Sequence, residues 1–122
     1  MCLDTVSWET GEPDKKKVVR AWKIFRRRGA LHFVHMYATH SPIPFGKWLR
    51  AENNDNPFPY YPLGFHAYAT RREARANCAR SWPLATFIYR VSLRGVRTRG
   101  TQDGFRVLVA DELKVDRKGR TR

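Results

Sequence analysis

The stretch TFIYRVSLRGV, residues 86–96, decides the fold, because its side chains alternate without a break. Phe87, Tyr89, Val91 and Leu93 fall on one parity, and Ile88, Arg90, Ser92 and Arg94 on the other. A strand sends successive side chains to opposite faces, so one face here is apolar and the other carries arginines. That alternation makes it the clearest strand of the chain. The residues before it have a different period. Thr70 and Glu73 have the spacing of a capping box, in which each side chain satisfies a free amide at a helix start. A helix is predicted over about 71–80, and Pro83 ends it. At about 100° per residue, Arg71, Arg72 and Arg75 share one arc. Ala74 and Cys78 form a narrow adjoining stripe suited to close packing on a sheet.

Working outward, GFHAYA at 64–69 reads as a strand feeding that helix. VVRAWKIFRRR at 18–28 has apolar residues on both parities, as in a strand partly covered on both faces. Gly29 interrupts it, and ALHFVHMYA at 30–38 reads as its antiparallel hairpin partner. Downstream, RTRGTQDG at 97–104 is expected to be a loop with Asp-Gly turn chemistry, and FRVLVADELKV at 105–115 a final strand. Between the hairpin and the helix, residues 41–64 hold five of the seven prolines and three asparagines, which predicts a long irregular loop. Within it, FGKWLRAE is compatible with one helical turn. The fold class that results is α+β: a mainly antiparallel sheet of about five strands, one main helix and a long Pro/Asn/aromatic loop. A single domain is expected over 18–115, flanked by a polar arm at 1–17 and a basic tail at 116–122.

The chain has 122 residues, 42% of them hydrophobic, enough for one core and too few for two. No apolar run approaches the roughly 18 residues that span a bilayer. The N-terminal residues show no basic-then-apolar leader, so a cytoplasmic location without a membrane partner is the expectation. Cys2 and Cys78 form no CxxC pair and signal neither a disulfide framework nor a zinc site. His32 and His35, three apart on a strand, point to opposite faces, and His40 and His66 have no acidic companion at ligand spacing. No metal site is expected.

Charge is the strongest compositional feature. Lys and Arg number 24 against 11 acidic residues, a formal charge of +13. Solubility alone requires far less on a small domain, so a polyanionic partner is expected, either nucleic acid or an acidic host protein surface. The candidate contacts are Arg26, Arg27, Arg28, Arg71, Arg72, Arg75, Arg90, Arg94, Arg97 and Arg99, spread over separate elements. The planar fork of arginine suits bidentate phosphate contact. Trp48, Tyr60 and Tyr61 are candidates for stacking bases or anchoring an interface. No helix-turn-helix, zinc-finger or RNA-binding signature is present.

A competing pattern is His66, Tyr89 and Glu112, whose order matches the His-Tyr-Glu constellation of ADP-ribosyltransferases. In that reading NAD is the cofactor, with Glu112 orienting the acceptor. Two strands precede His66, whereas that family places its histidine early. The plainer reading makes His66 a hydrogen-bonded structural residue, Tyr89 a core residue and Glu112 an arginine partner.

AWKIFRRR, PIPFGKWLRAE, GFHAYAT, FIYRVSLRGV and VLVADELKV occur here in an order that resembles a family of small phage and prophage proteins. That pattern runs from a Tyr/Trp-Lys-x-Phe strand through an Ile-Pro-x-Gly-x-Trp-Leu-x-Ala-Glu segment to a Gly-aromatic-His turn. A strand with an aromatic-Arg-Val core and a final Leu-x-Ala strand complete it. The resemblance spans about 18–115 and brings no assigned activity. It implies a phage setting and a host-takeover or anti-defence inhibitor acting by occlusion, such as an anti-CRISPR protein. A virion structural protein is the other possibility. Members with Cys or Thr after the histidine differ from this chain, which has Ala67 and Tyr68 there, so a cysteine role near His66 has no support.

Overall fold

Asp103 and Gly104, at φ of 53° and 83°, form a two-residue turn between the paired residues Gln102 and Phe105. Positive φ at both central positions gives the primed turn whose twist matches its flanking strands. The hairpin it closes is the spine of the molecule, a pair of 17-residue strands over Thr86–Gln102 and Phe105–Thr121. The computed structural model of the chain describes residues 3–10, 12–28, 30–33, 43–50, 64–81 and 86–121, leaving aside the side chains at 26–33, 78–86 and 117–121.

The elements are β1 (Thr5–Glu9), β2 (Val18–Arg28), β3 (Ala30–Phe33), β4 (Trp48–Arg50), β5 (Phe65–Tyr68), α1 (Arg71–Ser81), β6 (Thr86–Gln102) and β7 (Phe105–Thr121). The sheet is antiparallel throughout its named strand pairs, with one helix among the described residues against it. Among the described residues it has seven strands, in the order β1-β6-β2-β5-β7-β4 with β3 also on β2. β6 also pairs with β7, so the path β6-β2-β5-β7 returns to β6 and closes. The seam is the narrow junction of β2 with β5, where Trp22 pairs with Tyr68.

Three expectations change. Thr5–Glu9 lies in the sheet rather than in a free arm, because β1 pairs with the 98–101 stretch of β6. The stretch 97–102 and the run 116–121 are strand rather than loop and tail. Their polar side chains gave no apolar alternation, yet each faces a ready-made partner: Thr101 pairs with Arg106, and Thr121 with Ile88. Around Trp48 a strand on β7 replaces the helical turn. The second half of the 30–38 strand and the 51–63 part of the long loop lie outside the described residues.

Inside the closed sheet Phe25, Tyr89, Val91, Leu93, Leu113 and Val115 are buried with Ala21, Val96, Leu108 and Ala110. The inward set changes parity along the hairpin, from Leu93 to Val96 on β6 and from Leu113 to Ala110 on β7. The change falls at Gly95, φ 68°, opposite Asp111. A Cβ at Gly95 would sit in that left-handed region and 3.1 Å from the Asp111 carboxylate. Gly95→Ala is expected to destabilise the fold by about 1–2 kcal/mol, read as a lowered urea midpoint with unchanged m. Gly100 is required for another reason: its Cβ would overlap the Thr5 carbonyl, so only glycine lets β1 dock.

A second cluster forms outside the sheet, where α1 covers Ile24, Tyr68, Ile88, Val107 and Val109. Ala74 is fully buried there, and Asn77 donates from its amide to the Tyr68 hydroxyl. The helix start is half of the expected capping box. The Thr70 hydroxyl accepts the Glu73 amide at 3.2 Å, as anticipated. The Glu73 carboxylate instead accepts from the Thr70 hydroxyl, the Arg106 backbone amide and the Arg106 guanidinium, tying the helix to β7. Partial burial alone would raise the Glu73 pKa; these hydrogen bonds outweigh it and hold the carboxyl below its usual value.

Candidate nucleic-acid interface

With Ala21, Leu93, Leu113 and Leu49 turned toward the core, their chain neighbours point outward. Register then builds two rows across β2, β6, β7 and β4. One row is Val18, Arg94, Glu112 and Arg50; the next is Arg20, Ser92, Lys114 and Trp48. Four strands at the usual spacing make this face about 14 Å wide. α1 covers the same side of β2 and β6 at Ile24 and Ile88, and leaves the Val18–Arg94 end uncovered by described residues.

The face holds cations around an indole. The Arg94 guanidinium lies 3.9 Å from the Trp48 ring centroid, and Lys114 Nζ lies 5.0 Å from it. Trp48 stands on β4 and Arg94 on β6, so the indole reaches across the intervening β7. Stacked guanidinium on a tryptophan face is attractive and orients both groups. Arg94 Nε also donates to Glu112 Oε2 at 2.6 Å. That hydrogen bond is the main reason the Glu112 carboxyl sits below its usual pKa. Partial desolvation opposes it, and the charges of Arg94, Lys15 and Arg50 reinforce it. One carboxylate thus feels the charge of three cations, of which Arg94 touches it.

The predicted arginines divide into groups. Arg90, Arg94 and Arg97 are paired, with Asp116 at 3.0 Å, Glu112 at 2.6 Å and Asp111 at 2.5 Å. Such half-exposed pairs contribute little to stability, roughly 0–1 kcal/mol each, but each carboxylate weakens the local positive field. Arg71, Arg72 and Arg75 are exposed along α1 with no ion pair among the described residues. Arg99 is exposed beyond the bend, 5.4 Å from the Trp8 ring. Arg26, Arg27 and Arg28 lie on β2 with their side chains outside the description, and Tyr60 and Tyr61 lie outside the described residues. The expected list lacked Lys15, Arg20, Arg50 and Lys114. Two of them carry a parity signal in the sequence: Arg20 shares the parity of Val18 and Trp22, and Lys114 that of Glu112 and Asp116.

The His66, Tyr89 and Glu112 set is not brought together. Tyr89 is 1% exposed in the interior, its ring 5.7 Å from Phe25 and 5.6 Å from Phe45. Glu112 points out on the opposite face toward Arg94. The His66 ring nitrogen Nδ1 lies 3.1 Å from the Gly64 carbonyl, and the His66 carbonyl accepts from Lys23. Among the described residues no three His, Cys, Asp or Glu side chains converge as metal ligands, and no helix is long and apolar enough to cross a membrane.

These features define a small antiparallel, mostly β protein with a cationic, tryptophan-bearing outer face. No family model, curated protein or solved structure matches the chain.

Proposed function

We propose that the protein binds nucleic acid, with phosphates lying against the outer face of β2, β6, β7 and β4. The observation that carries this reading is the cross-strand cluster of Arg20, Arg50, Arg94, Lys114 and Trp48, with Lys15 beside it. Cations at the edges of a sheet face supply sequence-independent affinity for a phosphate backbone. The tryptophan favours nucleic acid over an acidic protein surface, because a base can stack on an indole amid the same cations. A formal charge of +13 adds long-range attraction to any polyanion. Arg71, Arg72 and Arg75 extend the positive surface along the helix.

In the phage setting that the resemblance implies, such binding occludes a nucleic-acid site used by a host or defence complex. Reversing Arg20, Arg50 and Lys114 to Glu is the direct test, read by fluorescence anisotropy on labelled oligonucleotides at low salt. The expected result is a loss of at least a hundredfold at an unchanged melting temperature. Undiminished affinity in that variant sinks the reading. Reversing Arg71, Arg72 and Arg75 is expected to weaken binding further, which separates the helix contribution from that of the sheet.

A further inference from the structure

Building on the nucleic-acid reading, we infer that the ligand is single-stranded and that Trp48 with Arg94 forms the platform on which a base stacks. The difference between the two kinds of strand lies in what they expose. A duplex presents phosphates and groove edges, while its base faces are covered by their neighbours. A single strand presents the base faces themselves, and aromatic side chains or guanidinium planes take them up.

The outer face matches the second case. Its central groups are an indole and a guanidinium: Trp48 reaches across β7, and the Arg94 guanidinium lies over its ring at 3.9 Å from the centroid. The hydrogen bond from Arg94 Nε to Glu112 fixes the guanidinium plane, so the pair is ordered before any ligand arrives. Such preorganisation lowers the cost of ordering side chains on binding. Lys114 Nζ lies 5.0 Å from the same indole centroid, and Arg20 and Arg50 form no ion pair among the described residues. Arg20 is three strands from Trp48 in the same row, and Arg50 follows one residue beyond Leu49 on β4. A strand crossing the face can therefore set a base on the indole while its phosphates reach Arg20, Arg50 or Lys114. None of the described residues on this face forms a protruding helix or ribbon that would enter a groove.

The test compares a single-stranded oligonucleotide and a duplex of equal length, as both DNA and RNA, against the full chain and two variants. The wild-type protein is expected to bind single strands about ten- to a hundredfold more tightly than duplex, the range expected for one stacked base. Trp48→Ala is expected to remove that preference by weakening single-strand binding the more, whereas Trp48→Phe retains most of it. Single strands should quench tryptophan emission in the wild type, and the quenching should shrink in Trp48→Phe, a signal that loss of packing alone does not produce. If single strands and duplex bind equally and Trp48→Ala changes neither, the inference is overturned while nucleic-acid binding stands. Absence of binding to every oligonucleotide at low salt overturns both. The wild-type preference requires no variant, so a poorly folded Trp48→Ala does not protect the idea.

Discussion

Raising salt from about 50 to about 200 mM is expected to weaken nucleic-acid binding by roughly sixty- to a thousandfold, and the steepness reports how much of the surface is used. Among the described residues, Arg20, Arg50 and Lys114 on the sheet face and Lys15 before β2 form no ion pair, whereas Arg94 already holds Glu112. About four neutralised phosphates on a single strand give a logarithmic slope near −3. Over a fourfold change in salt, that is a loss of about sixtyfold. If Arg71, Arg72 and Arg75 also engage, about seven contacts give a slope near −5 and a loss approaching a thousandfold. The measurement is a set of binding isotherms at four or five salt concentrations. Charge reversal on the helix should then move the slope from the steeper value to the shallower one. A salt-independent affinity would mean that the cations on this face do not hold the ligand.

The arginine groups also show which parts of the site were legible beforehand. The alternation over 86–96 sets Phe87, Tyr89, Val91 and Leu93 against Arg90, Ser92 and Arg94, and the structure keeps the two on opposite faces as far as Leu93. Ile88 and Ser92 on the arginine side are also buried. The carboxylates that pair with Arg90, Arg94 and Arg97 were not legible. Each comes from β7, and which carboxylate meets which arginine depends on register. That register shifts at two places in the hairpin, near Tyr89/Val91 and Val96/Thr98. A count of arginines therefore overstated the free charge on β6. Arg20, Arg50 and Lys114 were overlooked because they are scattered in sequence; only the closing of β2, β6, β7 and β4 into one face aligns them.

The extra strand length was hidden for a related reason. Periodicity reveals a strand where one face is buried, and the 97–102 and 116–121 stretches carry mostly polar side chains. They extend because a partner strand is already in place, and β1 joins because Gly100 leaves room for the Thr5 carbonyl. Local patterns found the helix and its Thr70–Glu73 spacing. Arg106 as the partner of Glu73, 33 residues away, could not be read from any window of that size.

Stability is expected to rise as pH climbs from about 8 to about 10.5, because Lys23 is buried inside the sheet. It is 7% exposed, shares the parity of Ala21 and Phe25, and donates from Nζ to the His66 carbonyl at 2.5 Å. Burial disfavours the ammonium and lowers its pKa from 10.5 to about 8. Below about 8 the amine is protonated in both folded and unfolded chains, and the folded state carries the full desolvation cost. Between the two values the unfolded chain keeps a proton that the folded chain has released, so the free energy of unfolding increases with pH. Above about 10.5 both are neutral and the gain is complete. A shift of this size corresponds to about 3 kcal/mol at most. Lys23→Met keeps the length of the side chain and removes its charge, while leaving the His66 carbonyl without this donor, at a cost of about 1–3 kcal/mol. The variant is expected to be about as stable as the wild type at pH 7, or up to about 2 kcal/mol more stable. Urea unfolding at pH 7, 9 and 10 decides it: the alkaline rise should be present in the wild type and missing in Lys23→Met. Equal pH dependence in the two proteins would show that the ammonium is solvated in the folded state, and would remove Lys23 from the account of what limits stability at neutral pH.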